Sequence, residues 1–398
     1  MPDLHYTNLL VVVTAATAAP LAFDLLPLPK VPPVVIELVA GILIGSTVLG
    51  LAHVDEPVTV LSQIGLVFLF FLAGLEIAFD RHSDRHLRIV GLAFFVSLLL
   101  AIAAGEVLRA ARLAEAPLFV GIVLAATSFG IVVAVLKDAG ETGTGFGQLV
   151  IASASVADFA TVILLSLFFS QNGSGIESTA VLLGLFAMLA AVITLGIYRA
   201  RLSPRLGAAV RRLQDTTAQI SVRIAFLLLI ALVALAQEFG FEVVLGAFLA
   251  GAIISLVDDG KAVESSGLKH KLEGIGFGVF IPVFFVTSGM QLKLGDLFDS
   301  ASDAALVPAT VIALLLARGI PALLYHRFVP RRTLPAVGLL QATSLTFVVA
   351  ATQIGVQLGK ISGQTAAGLV TAGVISVLAF PALALSVLAR NREEVTAR

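Results

Sequence analysis

Apolar residues run along this chain in blocks of about twenty, separated by short clusters of charge, proline and glycine. A helix rising ~1.5 Å per residue needs roughly 20 residues to cross a hydrocarbon core of ~30 Å. Each block therefore predicts one membrane-crossing helix. Thirteen are predicted, over about 5–27, 31–52, 57–79, 86–110, 115–137, 146–171, 177–200, 218–238, 240–258, 270–292, 302–325, 332–358 and 361–389. No Lys or Arg precedes the first block and Lys30 follows it, the reverse of a secretory signal, so it reads as a retained helix. The longest polar stretch, 199–217, holds Arg199, Arg201, Arg205, Arg211 and Arg212 and reads as an amphipathic linker rather than a soluble domain. The expected fold class is an all-α polytopic membrane protein, one transmembrane domain over 1–398.

The chain resembles itself. Residues 126–135, ATSFGIVVAV, match residues 342–351, ATSLTFVVAA, at six of ten positions with an offset of 216. Weaker matches keep the order and nearly the offset: VAGILIG at 39–45 with LAGAIIS at 249–255, and FFLAGLEI at 70–77 with FFVTSGMQL at 284–292. Matching segments fall in spans of opposite direction, the fifth inward and the twelfth outward, which is an inverted-topology repeat as built into many secondary transporters. The expected organisation is repeat one over about 31–171, a linker region over 172–238 and repeat two over about 240–389.

Charge tests the span count, because an error of one would shuffle the loops between sides. Loops after odd-numbered spans, with the tail, hold nineteen basic residues: Lys30, Arg81, Arg85, Arg88, Lys137, the five linker arginines, Lys261, Lys269, Lys271, Arg327, Arg331, Arg332, Arg390, Arg392 and Arg398. The opposite loops hold four, Arg109, Arg112, Lys293 and Lys360. By the positive-inside rule the N-terminus is expected outside and the C-terminus in the cytoplasm, with the chain in the cell's inner (plasma) membrane. Hydrophobic residues make up 58% of the chain and charged ones 13%, about half the share of a soluble domain. The net charge of -1 points to no nucleic acid or polyanionic partner, and the lack of cysteine excludes disulfides, thiolate metal sites and cysteine nucleophiles. The expected partners are the lipid bilayer and small ions, and no cofactor is expected.

An ionisable group at mid-membrane costs several kcal/mol, so each one there is a functional candidate. Asp158 lies twelve residues from the inner end of the sixth span, roughly 18 Å deep, and Arg318 about eight residues from the inner end of its span, roughly 12 Å deep. Thr127 and Ser128, and their repeat partners Thr343 and Ser344, fall at similar depth, with Gly130 and Thr346 beside them. Such residues interrupt helical hydrogen bonding, and unwound backbone is tolerated in a membrane only where protein or a wet cavity satisfies it. Two broken helices are therefore expected to cross there, their carbonyls and hydroxyls offering oxygen ligands to a hard cation such as Na+ or K+, with Asp158 supplying the charge. A carboxylate that binds a proton or a cation, never both, couples their movements. Arg318 is expected to compensate charge by pairing with Asp158 or a neighbouring polar group. Ser155, one turn before Asp158, could add a ligand, while Ser153 is expected to point elsewhere; Gln341 and Glu76 are weaker candidates, and Glu37 lies in a repeat-related span. The bland readings are a helix-pairing carboxylate for Asp158, a snorkelling cation for Arg318, polar glue for the Ser/Thr pairs, an interfacial carboxylate for Glu76 and close packing for Gly41 and Gly251.

VVIELVAGILIGSTVLGL, LVFLFFLAGLEI, LGAFLAGAIIS, IPVFFVTSGMQL and the paired ATS segments together resemble the signature stretches of the monovalent cation/proton antiporter superfamily, which includes Kef-type potassium efflux systems and NhaA-fold sodium/proton antiporters. The resemblance covers nearly the whole chain. It implies an NhaA-like fold with two crossed discontinuous helices, a core bundle that moves elevator-fashion, a second domain that forms a homodimer, Asp158 as the essential carboxylate and Arg318 as the basic residue of the matching helix. Family members usually place Asp, Asn or Gln before the key aspartate, where this chain has Ala157. A lone aspartate facing an arginine resembles the electroneutral, one-for-one members. A Kef-type nucleotide-binding domain would add a Gly-rich strand-turn-helix unit, and none is expected after 389. The rival readings are a sodium-coupled carrier of an organic solute on the same fold, a gated channel, and an intramembrane aspartyl protease. The last requires two carboxylates sharing a site, so no enzyme is expected.

Overall fold

A computed structural model describes residues 5–25, 31–46, 48–76, 84–169, 176–201, 204–213, 216–257, 267–292 and 301–396. Of the basic residues used to orient the chain, Lys30, Arg81, Lys261, Lys293 and Arg398 lie outside the described residues, as does Ile77 of the FFLAGLEI segment. The described chain is helical throughout. In order it forms α1 (Thr7–Asp24), α2 (Pro33–Ile44), α3 (Glu56–Leu75), α4 (Asp84–Ala110), α5 (Pro117–Ala125), α6 (Phe129–Asp138), α7 (Gly145–Phe168), α8 (Ile176–Arg201), α9 (Pro204–Leu213), α10 (Ile220–Glu238) and α11 (Val243–Val257). Next comes α12 (Leu268–Gln291), which contains a π turn at Gly276–Phe280. Then α13 begins as Ala301–Leu314 and continues through a π turn, Leu315–Gly319, and a 3-10 stretch, Ile320–Arg327. The chain ends with α14 (Leu334–Ala342), α15 (Thr346–Gln357) and α16 (Gly363–Thr396).

Helix starts follow from the sequence. Asp55 caps α3 by accepting from the Val58 N–H at 3.2 Å, with Pro57 in the first turn where no N–H is needed. Pro117 opens α5 after Ala116 at φ 45, and Pro335 sits in the first turn of α14. Among the described residues, eleven helices are long and apolar enough to cross a membrane, counting α5 with α6 and α14 with α15 as single spans; α2 and α11 are shorter apolar helices. The second predicted span stops early because the chain reverses after Ile44: Leu49 N–H donates back to Leu43, and Leu51 and Ala52 to Ile44. The last helix runs past the predicted 389 to Thr396. Part of the 199–217 linker is the helix α9.

The chain forms two compact units. One comprises residues 55–81 and 162–284. In it α3 lies directly on α11: a Cβ on Gly74 would meet the Phe248 carbonyl, and one on Gly251 the Phe71 carbonyl. The Phe68 ring packs within this unit against Phe71, Phe226 and Phe280. The other unit comprises 6–54, 82–161 and 285–398, and holds α1, α2, α4–α6, most of α7 and α13–α16. Here α2 lies on the end of α12, with Gly41 against Val286 and Gly289 against Leu38. Its core includes Val132, Leu136, Val150, Tyr325, Val337 and Leu340, which clamp α6, α7, α13 and α14 together beside the candidate residues.

Candidate functional site

Both ATS segments break their helices. α5 ends at Ala125 and α6 begins at Phe129; α14 ends at Ala342 and α15 begins at Thr346. The two three-residue gaps cross and bond to each other. Ser128 N–H donates to the Thr343 carbonyl at 2.8 Å, and Ser128 Oγ accepts from the N–H groups of Leu345 at 2.7 Å and Thr346 at 3.1 Å. Ser128 thus caps the start of α15 from a different helix, satisfying donors that a helix N-terminus leaves without intrahelical partners. On the other gap, Ser376 of α16 accepts from Ser344 N–H at 3.0 Å. Thr127, Ser128, Thr343 and Ser344 are all fully buried.

The C-terminal end of α14 is held by a cation. Arg318, 1% exposed, donates from Nε to the Gln341 carbonyl at 3.3 Å, from Nη1 to Ser97 Oγ at 3.1 Å, and from Nη2 to Thr127 Oγ1, which itself donates to the Gln341 carbonyl at 2.8 Å. A positive fork at the negative end of a helix dipole is favourable, and buried guanidinium groups require such partners. The π turn at Leu315–Gly319 includes the arginine, consistent with the frequent use of π-bulges at functional positions.

Asp158 is half-buried on α7. Ser155, one turn earlier, is also half-buried. Ser153 is buried, and its Oγ shares a 2.8 Å hydrogen bond with the buried Tyr325 hydroxyl, tying the aspartate's helix to the arginine's. The hydroxyls of Thr127 and Ser128 are engaged in the crossing, whereas Ser344 Oγ is buried with no hydrogen-bond partner among the described residues. Thr343 Oγ1 donates to the Leu339 carbonyl at 3.1 Å. Gln341 joins the cluster through its backbone carbonyl. Glu76 belongs to the other unit, at the C-terminal cap of α3, within the field of Lys269 and Glu273 of α12. Glu37 is buried on α2.

Two helices interrupted at mid-span, crossing beside an acid and a fixed cation, is a transporter's arrangement rather than a hydrolase's. Residues 11–385 match the family described as "Sodium/hydrogen exchanger, transmembrane". The chain belongs to this family. Its members are secondary transporters, not enzymes. A Bacillus subtilis relative named for Na+/H+ antiport, YjbQ, is 32% identical over 402 aligned positions, covering 96% of this chain and 63% of its own length. The Na+/H+-K+ antiporter GerN of Bacillus cereus is 30% identical over 71% of each chain. The solved sodium proton antiporter MjNhaP1 of Methanocaldococcus jannaschii superposes with a TM-score of 0.63 at 16% identity, covering 95% of this chain and 97% of that one, and so shares the fold.

Within this exchanger fold, Ser97, Tyr325 and Ser376 are the cluster members that sequence reasoning missed. Each is an ordinary hydroxyl residue whose partner lies far away in sequence, up to 221 positions for Ser97 and Arg318. The signal that could have found them is polarity at matching depth: a buried arginine needs several acceptors.

Proposed function

We propose that the chain exchanges a monovalent cation, Na+ or K+, for H+ across a membrane, with Asp158 carrying either ion and never both. The observation that carries the reading is a pair of interrupted helices whose gaps hydrogen-bond to each other, one end held by the buried Arg318, packed beside the helix that carries Asp158. Arg318 belongs to the frame: its three hydrogen bonds hold α14 open, so it sets the field at Asp158 without being a cation ligand. Ser344, with its unused buried hydroxyl, is the strongest oxygen candidate beside Asp158, followed by Ser155, Thr343, Thr127 and Ser128; Gln341 and Glu76 stay weaker.

A single titrating acid favours electroneutral one-for-one exchange. The reading takes α2 and α11 as crossings beside the eleven longer spans, thirteen in all, with the N-terminus outside and the C-terminus in the cytoplasm, in the inner membrane; the excess of basic residues in alternate loops supports it. Repeat one over 31–171 and repeat two over 240–389, joined by 172–238, are supported by the glycine contacts: the aligned pair Gly41 and Gly251, and the aligned pair Gly74 and Gly289, all sit against a neighbouring backbone. An NhaA-like homodimer with an elevator-like core completes the proposal.

The test is proton flux in vesicles with Na+, K+ and Li+ in turn. Wild type acidifies or alkalises the lumen according to the cation gradient, and Asp158→Asn loses exchange for every cation. Robust exchange by the Asn protein overturns the assignment.

A further inference from the structure

A groove of about 610 Å³ runs along the outside of α13 and α14. Leu323, Leu334 and Leu339 wall it, and the helices touch at Gly319 and Gly338, where a Cβ on Gly338 would stand 3.1 Å from the Gly319 Cα. The chain reverses between Arg327 and Arg331, so the two lining residues His326 and Arg331 come to the same end of the groove. That end is a water-facing one, because the candidate spans Ala305–Arg327 and Arg331–Gln357 both terminate there. His326, Arg327, Arg331 and Arg332 are exposed, and the sequence holds no Asp or Glu between Asp303 and Glu393. Among the described residues, no carboxylate pairs with Arg331.

From Leu315 to His326 the apolar wall extends roughly 15–20 Å, allowing for the longer ~2.0 Å rise of the 3-10 stretch, about one leaflet of a ~30 Å hydrocarbon core. An apolar slot of one leaflet's depth, ending in an unpaired guanidinium at the interface, is complementary to one kind of molecule. We infer that this groove binds an anionic membrane phospholipid, one acyl chain lying on Leu323, Leu334 and Leu339 and the headgroup phosphate on Arg331. Arg331 supplies a bidentate fork for the phosphate. His326, whose Nδ1 donates to the Leu323 carbonyl at 2.9 Å, lines the groove at the same end as Arg331. Grooves with basic mouths between membrane helices are a recurrent lipid-recognition device. The back of this one is formed by the Leu315–Gly319 turn that contains Arg318 and by α14, which ends at the helix crossing, so an occupied groove braces the segment that holds the crossing open.

The test uses the full chain in phosphatidylcholine nanodiscs doped with spin-labelled phosphatidylglycerol or, separately, spin-labelled phosphatidylcholine. Wild type is expected to immobilise the anionic probe preferentially and to melt at higher temperature as phosphatidylglycerol is added. Arg331→Gln should lose roughly fivefold of that preference, the equivalent of ~1 kcal/mol for one interfacial charge, while melting unchanged in pure phosphatidylcholine. Leu323→Trp, at an exposed wall position, should reduce immobilisation of the anionic probe by filling the slot. Equal immobilisation of both probes by wild type, or full preference in the Arg331→Gln protein, overturns the inference. So does displacement of the effect by inorganic phosphate alone, which would make the site one for a soluble anion. None of these readouts depends on ion exchange.

Discussion

Ser128 and Arg318 show why mid-membrane polar residues in this chain are first of all structural debts that must be settled. Breaking two helices exposes backbone donors and carbonyls where no water is at hand, and each unmet group costs several kcal/mol in hydrocarbon. Ser128 answers the donors at the start of α15, and Arg318 the carbonyl end of α14. Ser128→Ala should therefore destabilise by about 1–2 kcal/mol, the usual worth of a lost cap, read as a lowered melting temperature in detergent. Arg318→Ala removes a buried side chain and three hydrogen bonds and should cost roughly 2–5 kcal/mol. It should also shift the pH profile of exchange, while cation binding at Asp158 persists. Arg318→Lys keeps the charge without the fork and should fall between the two. Unchanged melting and an unchanged pH profile in the Ala protein would remove Arg318 from the frame. Asp158, Arg318 and the ATS pairs were legible in the sequence because charge and helix-interrupting residues are scarce among apolar ones. Ser97 and Ser376 were not, since a serine or threonine hydroxyl in a membrane helix ordinarily bonds its own backbone, as Thr161 does to Ala157 and Thr371 to Ala367, and Tyr325 was not because its partner Ser153 lies 172 positions away.

Helices in lipid gain little from burying apolar surface against one another, so close backbone approach carries much of the packing. The contacts of α3 with α11 and of α2 with the end of α12 are of that kind, with glycines set against carbonyls. Gly251→Leu should separate α11 from α3 and lower the melting temperature markedly, whereas Gly184→Ala on α8, where a Cβ meets nothing within 4 Å, should be neutral or gain up to ~1 kcal/mol of helix propensity. Thermal melting of the two variants side by side checks this, and equal behaviour would contradict it. Helix existence was readable from the apolar blocks, and the division of the fifth and twelfth from Thr, Ser and their neighbours. The early end of α2 was not readable, because residues 48–52 are as apolar as the helix before them and turn back through backbone bonds to Leu43, Ile44 and Gly45. Hydropathy counts side chains and cannot see which carbonyl a backbone donor chooses.

Across the larger unit, a long-range tie joins the turn before α5 to the start of α16. Glu115 accepts from Thr365 Oγ1 at 2.7 Å and from the N–H and Oγ of Ser362 at 3.3 Å. Partial burial pushes this carboxyl upward, but the hydrogen bonds from Thr365 and Ser362 outweigh it and hold the group below its ordinary 4.5. A lowered folded-state value means stability that is present above the ordinary carboxylate range and is lost as pH falls through the lowered value. Glu115→Gln should thus lower the melting temperature at neutral pH, with the gap to wild type closing under strongly acid conditions; a gap independent of pH would contradict this. Exchange belongs to the whole molecule, since one acid must serve both faces of the membrane. Its most direct test is proton release by the purified, weakly buffered protein when Na+ or K+ is added. The account predicts release by wild type and none by Asp158→Asn. Cation binding by wild type that frees no protons, or equal release from the Asn protein, would contradict it.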